Sequence, residues 1–328
     1  MLILSSTDVR ALLDPAALVD ELAIAMKDLS AGRASMPVRT AAVVPERDAF
    51  LGSMAAYVPA AGTLEAKLVS VFPGNAERGI PTHQAVVVAF EADTGTPVAV
   101  MDGTYITEVR TAAGSALATR LLARDDAAVL AIVGTGVQAR SHARAVSRVR
   151  SFDEIRVAGR DVAKARRTAG ELNAELPIPV VAAGSYEEAL DGADVVCTAT
   201  HSPEPVVRRE WLSQGTHVNS VGFNMQGPEV DPATYGDVLV VVESRQVALA
   251  PPPSGPVDLH EAIARGVISP DDVDTEIGEL VAEVKPGRTA SDQITLYRSV
   301  GVAVQDAAAA ALVLRAARER GAGIEVDL

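Results

Sequence analysis

From Val129 to Ser244 the chain alternates short apolar runs with longer stretches in which apolar residues recur at helical spacing. VLAIV (129–133), IRVA (155–158), PVVAA (179–183), DVVCTAT (194–200), THVNSV (216–221) and DVLVVVES (237–244) are short and rich in β-branched residues. They lack strict polar alternation, which is how strands buried on both faces of a parallel sheet read. Helical stretches fall between them, one ending near Leu172 and one over YEEALDG, and the crossovers are long enough for βαβ units. The pattern predicts an α/β fold with a Rossmann-type, doubly wound parallel sheet.

The segment before Val129 has another character. Asp14-Pro15 predicts a helix N-cap with proline at the first helical position; Leu18, Leu22, Met26 and Leu29 then mark one face, and Gly32 ends the helix. TLEAKLVSVF (63–72), QAVVVAFE (84–91) and PVAVM (97–101) read as strands, followed by a small-residue helix over 107–123. This is an α+β pattern. The alanine-rich stretch 301–321 predicts a C-terminal helix with too little bulk to stand alone, so it packs on the first domain or on a second subunit.

The first apolar run ends in Gly134-Thr135-Gly136, with Ala139 three residues on. In a G-x-G-x-x-A loop the first glycine permits the tight turn, the second admits a pyrophosphate, and the third small residue lets helix and strand pack. The net charge of −14 argues against a nucleic-acid partner, because phosphate backbones are bound by clustered Lys and Arg. No segment has the roughly 18 uninterrupted apolar residues of a membrane span. The single cysteine, Cys197, lies in an apolar run, which agrees with a buried thiol in a reducing, cytoplasmic compartment. The five histidines show no ligand spacing, so no metal site is expected.

MPVR (36–39), EAKLVSVFPGN (65–75), GIPTHQAVVVAFEADTGTPVAVMDG (79–103), TEVRTAAGSALAT (107–119), VGTGVQA (133–139), THVNSVG (216–222), KPGR (285–288) and ITLYRSVGVAVQDAAAA (294–310) follow one another in order. Together they resemble the ornithine cyclodeaminase/μ-crystallin family. The resemblance implies a homodimer with a substrate-binding and dimerisation domain formed by 1–118 and 302–328. An NAD(P)-binding Rossmann domain, 119–301, is inserted into it. It also implies hydride exchange between a nicotinamide and the α-carbon of a small amino or imino acid.

Arg110 is the only charged residue between Val109 and Thr119, a costly position for a cation unless it is paired. A neighbour such as Glu108 would satisfy it structurally; the resemblance places it, with Arg39, on the substrate carboxylate. Lys67 phases with Val69 and Val71 on one strand face. It is either a snorkelling edge lysine or a buried amine of lowered pKa, and the resemblance puts it beside the reacting carbon. The resemblance also sets Thr82, Val137, Gln138, Thr200, Val221, Gly222 and Ser299 around the dinucleotide, although Thr200 and Ser299 also fit as loop hydroxyls bonded to the protein. The second Rossmann strand ends in AGRD; Arg160 favours NADP, whereas Asp161 would suit NAD.

The cyclodeaminase branch carries an aspartate base after the VG of its fifth strand, where this chain has Asn224, and a glutamate where this chain has Gly52. An amide is no general base. The expectation is therefore an amino-acid dehydrogenase or cyclic imino-acid reductase, with Asn224 orienting the substrate. Cyclodeamination with Glu229 or Asp231 as the base is one alternative, and a crystallin-like NADPH binder without turnover is another.

Overall fold

Ser5 and Asp14 start the first two helices. Ser5 and Asp8 cap one another's backbone N–H groups at α1 (Ser6–Leu12), which follows β1 (Leu2–Leu4). The Asp14 carboxylate accepts the Ala16 N–H at 2.8 Å, and Pro15 opens α2 (Pro15–Ser30), as the sequence predicts. The computed structural model describes residues 1–327. Strands β2 (Thr40–Val44), β3 (Ala49–Val58), β4 (Thr63–Val71), β5 (His83–Phe90) and β6 (Pro97–Asp102) form an antiparallel run, and α3 (Gly103–Leu122) follows.

The next elements are β7 (Val129–Val133), α4 (Val137–Val149), β8 (Glu154–Ala158), α5 (Val162–Glu175), β9 (Val180–Ala182), α6 (Tyr186–Leu190), β10 (Val195–Thr198) and β11 (His217–Ser220). They continue with β12 (Leu239–Val242), α7 (Arg245–Ala248), α8 (Val257–Ala264), β13 (Thr275–Glu276), α9 (Ile277–Val281) and β14 (Thr295–Arg298). The chain closes with α10 (Ala303–Arg320), stopped by Gly321 at φ 62°, and β15 (Ile324–Glu325). Two units result, Met1–Arg110 with Val302–Leu328 and Thr111–Gly301, and their division falls inside α3.

In the first unit the sheet order is β15-β1-β6-β5-β4-β3-β2. Its core lies where α10 packs on β3, β4 and α2. Ala307 to Ala310 are fully buried, and their small side chains let the helix lie close to the strands. In the second unit eight parallel strands run β13-β12-β14-β11-β10-β7-β8-β9, with the six expected strands among them. The strand order reverses at β7, where an open α/β sheet binds its ligand.

Two strands that lie inside these sheets, with a partner on each side, escape the hydrophobic pattern. β3 carries apolar residues on both faces and a glycine at position 52, so no alternation marks it. β14 reads TLYR, yet all four residues are buried and the strand lies between β11 and β12. Among the described residues no helix is long and apolar enough to cross a membrane.

Candidate active site

Period-two phasing on β4 puts Thr63, Glu65, Lys67 and Val69 on its buried face. The register sets Met54 and Ala56 of β3 opposite Lys67 and Glu65, with Val87 and Ala89 of β5 on the other side. No polar partner comes from these four. Charge is supplied from α10 and α3: the Lys67 Nζ lies 2.7 Å from an Asp306 oxygen, and the Arg110 Nε donates to the other oxygen at 3.0 Å. Arg110 Nη1 also donates to Gln305 Oε1 at 2.9 Å, and Thr107 Oγ1 is 3.4 Å from the Lys67 amine.

Lys67 is therefore no snorkelling edge residue, being 1% exposed. Burial pulls its amine down to about 8; Asp306 opposes that shift, and the Arg110 charge adds to it. Burial alone would push the Asp306 carboxyl up, but Arg110 and Lys67 outweigh it and hold the group below its ordinary value. Arg110's carboxylate partner is Asp306, 196 residues further along the chain. The neighbour considered from the sequence, Glu108, lies 3.9 Å from Arg10.

His83 opens β5 opposite Val71, on the Lys67 face, and burial with the Lys67 and Arg110 charges pushes it down to about 4. Its imidazole is neutral near pH 7. Thr82 precedes it, with its carbonyl accepting the Phe72 N–H. Arg39 stands half-buried directly before β2.

In the second unit, Gly134 has φ +129°, and a Cβ there would sit 2.7 Å from the Ala199 carbonyl oxygen. No other residue fits that turn without strain. A Cβ on Gly136 would meet nothing within 4 Å, and α4 begins at Val137 and Gln138 without a side-chain cap. Open space above uncapped helix N–H groups suits a phosphate, so Gly134, Thr135 and Gly136 fit a dinucleotide. At Gly159 a Cβ would approach Thr135 Cγ2 to 2.6 Å, so the loops after β7 and β8 touch there. Arg160 is exposed beyond it. Asp161 is the N-cap of α5, accepting the Ala163 and Lys164 N–H groups at 2.9 and 3.1 Å.

Three buried anions that sequence reasoning did not read as scaffolding organise the remaining strand ends. Glu229 accepts from Thr198 Oγ1, both the N–H and Oγ1 of Thr200, Ser220 Oγ and the Gly222 N–H, all within 2.7–2.8 Å. Glu243 accepts Ser299 Oγ at 2.5 Å and the N–H groups of Val300 and Gly301 at 3.0 Å. Asp258 holds Arg298, whose remaining N–H groups reach the carbonyls of Ser220, Gly222 and Ser299. The hydroxyls of Thr200 and Ser299 are thus bonded to the protein, and the Val221 N–H donates to Thr198 O within the same scaffold. An acid directly after an apolar strand, as in VVVE, was the available signal for Glu243.

Asn224 donates from Nδ2 to His201 O and accepts the Gln226 N–H at Oδ1, both at 2.8 Å, so its amide shapes its own loop. Cys197 is buried, which pushes its thiol up to about 12 and leaves it unreactive.

A family model described as the ornithine cyclodeaminase/mu-crystallin family matches residues 1–321. The chain belongs to that family. It is 37% identical to ketimine reductase mu-crystallin of Mus musculus over 283 residues, 86% of this chain and 85% of that protein. Its fold is similar to Δ1-pyrroline-2-carboxylate reductase of Thermococcus litoralis, solved with NADH and L-proline: TM-score 0.95, 35% identity, 99% of this chain and 100% of that one. An archaeal alanine dehydrogenase dimer with bound NAD gives TM-score 0.92 at 30% identity, covering 100% of this chain and 99% of that one. In this member of the ornithine cyclodeaminase/mu-crystallin family, Lys67 and Arg110 lie in one buried cluster and a glycine turn heads α4.

Proposed function

We propose that this NAD(P)-dependent oxidoreductase reduces a small cyclic 2-imino acid to the corresponding amino acid, with NADPH as its preferred reductant. One observation carries the reading: Lys67 and Arg110, both buried, share a single carboxylate, Asp306, which leaves the cluster with an excess of positive charge. A substrate carboxylate supplies the missing anion, and the guanidinium offers it a charge-assisted anchor. We assign Arg39 to the same carboxylate. The bound dinucleotide supplies the hydride. Lys67, an acid of about 8, donates the proton that the imine nitrogen gains, so the product leaves as an amine.

Cyclodeamination needs a base, and the groups considered for it are occupied. Glu229 accepts five hydrogen bonds, Asp231 caps a helical turn at Ala233, and Asn224 is an amide. The assay that tests the reading follows NADPH oxidation with five- and six-membered cyclic 2-imino acids, alongside ammonia release from ornithine and lysine. Turnover in the first and none in the second supports it; the reverse pattern refutes it.

The cofactor preference rests on Asp161. Its carboxylate is spent on the α5 N-terminus, so it is not free for ribose hydroxyls, while the exposed Arg160 beside it suits a 2′-phosphate. Arg160→Ala is expected to raise KM for NADPH about tenfold or more, the worth of one charge-assisted bond, and to leave KM for NADH unchanged. A wild-type enzyme with the lower KM for NADH would contradict this.

We also propose a homodimer. Leu68 faces Val86 directly across β4 and β5, and Leu51 of β3 lies diagonally from Leu68, all three exposed on the outward face, an apolar patch of the kind that marks an interface. Sedimentation equilibrium at twice the chain mass is the expected result, and a monomer the refuting one.

A further inference from the structure

Glu65 is a carboxyl that no hydrogen bond explains. It is 1% exposed, neither oxygen has a hydrogen-bond partner among the described residues, and it shares the covered face of β4 with Lys67. Its cross-strand neighbours, Ala56 and Ala89, offer nothing polar. The charged groups around it are Lys67 on its own strand, Asp306 from α10 and Arg110 from α3; His83 lies further along the same face on β5, and β3 contributes none.

We propose that Glu65 is a built-in competitor of the substrate carboxylate, so that binding of the substrate anion is coupled to proton uptake at Glu65. The proposal rests on the reading of the Lys67–Arg110 cluster as the carboxylate site. With Glu65 neutral, two cations face one anion and a substrate carboxylate balances the charge. With Glu65 ionised, the cluster is already balanced and an arriving carboxylate meets excess negative charge. Burial, and then the Asp306 charge, push Glu65 well above the ordinary carboxylate range, while Lys67 and Arg110 pull it back only in part. The resting site therefore keeps the proton, and affinity falls as pH rises through the Glu65 titration. Glu65 acts through the two cations and is a positioning residue.

The test is titration calorimetry of the full chain, saturated with NADP⁺, against 2-furoate, a ligand whose only ionisable group is its carboxylate. Repeating it in buffers of different ionisation enthalpy gives the protons taken up. At alkaline pH, where Glu65 of the unliganded site has begun to ionise, wild type is expected to take up more protons than Glu65→Gln, and its Kd to rise more steeply with pH there, by up to about tenfold per unit for one fully coupled proton. Lys67 titrates in both proteins and feels the Glu65 charge, so the same comparison in a Lys67→Met background isolates Glu65. Equal uptake in the two proteins overturns the proposal, and absence of binding in both overturns the carboxylate-site reading and the coupling with it. Should Glu65→Gln fail to fold, difference infrared spectra of wild type serve instead. Adding 2-furoate at alkaline pH must then increase the carbonyl stretch of a protonated carboxyl, and an unchanged band refutes the coupling.

Discussion

Lys67→Met is expected to lower kcat for imine reduction by about 10²–10⁴-fold, the usual worth of a positioned general acid, while NADPH binds as before. Methionine keeps the length and apolar stem of lysine, and Asp306 keeps its bond to Arg110, so the unit still folds. The loss is chemical. In wild type, kcat falls on the alkaline side as the Lys67 amine loses its proton; burial sets that amine at about 8 in the unliganded protein, and the bound substrate carboxylate moves the limb above that value. Measurement at saturating substrate removes any binding linkage at Glu65. The residual activity of Lys67→Met is expected to lack that alkaline limb. A variant that retains both the rate and the limb shows that the proton comes from elsewhere.

Asp306→Ala carries the largest expected effect on stability. It strands two buried cations beside one another, a loss of about 3–5 kcal/mol when one partner of a buried pair is removed. The melting temperature is expected to fall by roughly 10 °C. The linkage has a definite sign: the folded Asp306 carboxyl lies below its ordinary 3.8, so its contribution is full above that value and is lost as pH falls through the folded pKa. The gap between wild type and variant should thus hold from neutral pH down to about 4 and close in stronger acid. Combining Lys67→Met with Asp306→Ala removes one stranded cation and should recover part of the loss. Equal melting temperatures for wild type and Asp306→Ala near pH 7 would show that Asp306 is not the counter-charge on which the two cations depend.

The contrast between what was and was not legible follows the range of each interaction. The glycine turn after β7 was legible because backbone sterics at Gly134 and an open helix end at Gly136 are local facts. The buried state of Lys67 could be posed from phasing but not decided, since its counter-ion lies on α10, in a helix whose alanines advertise only propensity. Arg110 invited a search among its neighbours, and its partner is 196 residues away. Glu229 looked like a spare base because sequence spacing cannot show that five donors converge on it. Asp161 looked like a ribose ligand for a similar reason, its role as a helix cap being visible only once α5 starts beside it.

The most direct test of the central claim is a single turnover of wild type with NADPH deuterated at the transferable nicotinamide position and Δ1-pyrroline-2-carboxylate, with the product analysed by mass spectrometry. The expected product is proline carrying deuterium at its α-carbon. Unlabelled proline, or no consumption of NADPH while ornithine releases ammonia, would contradict it.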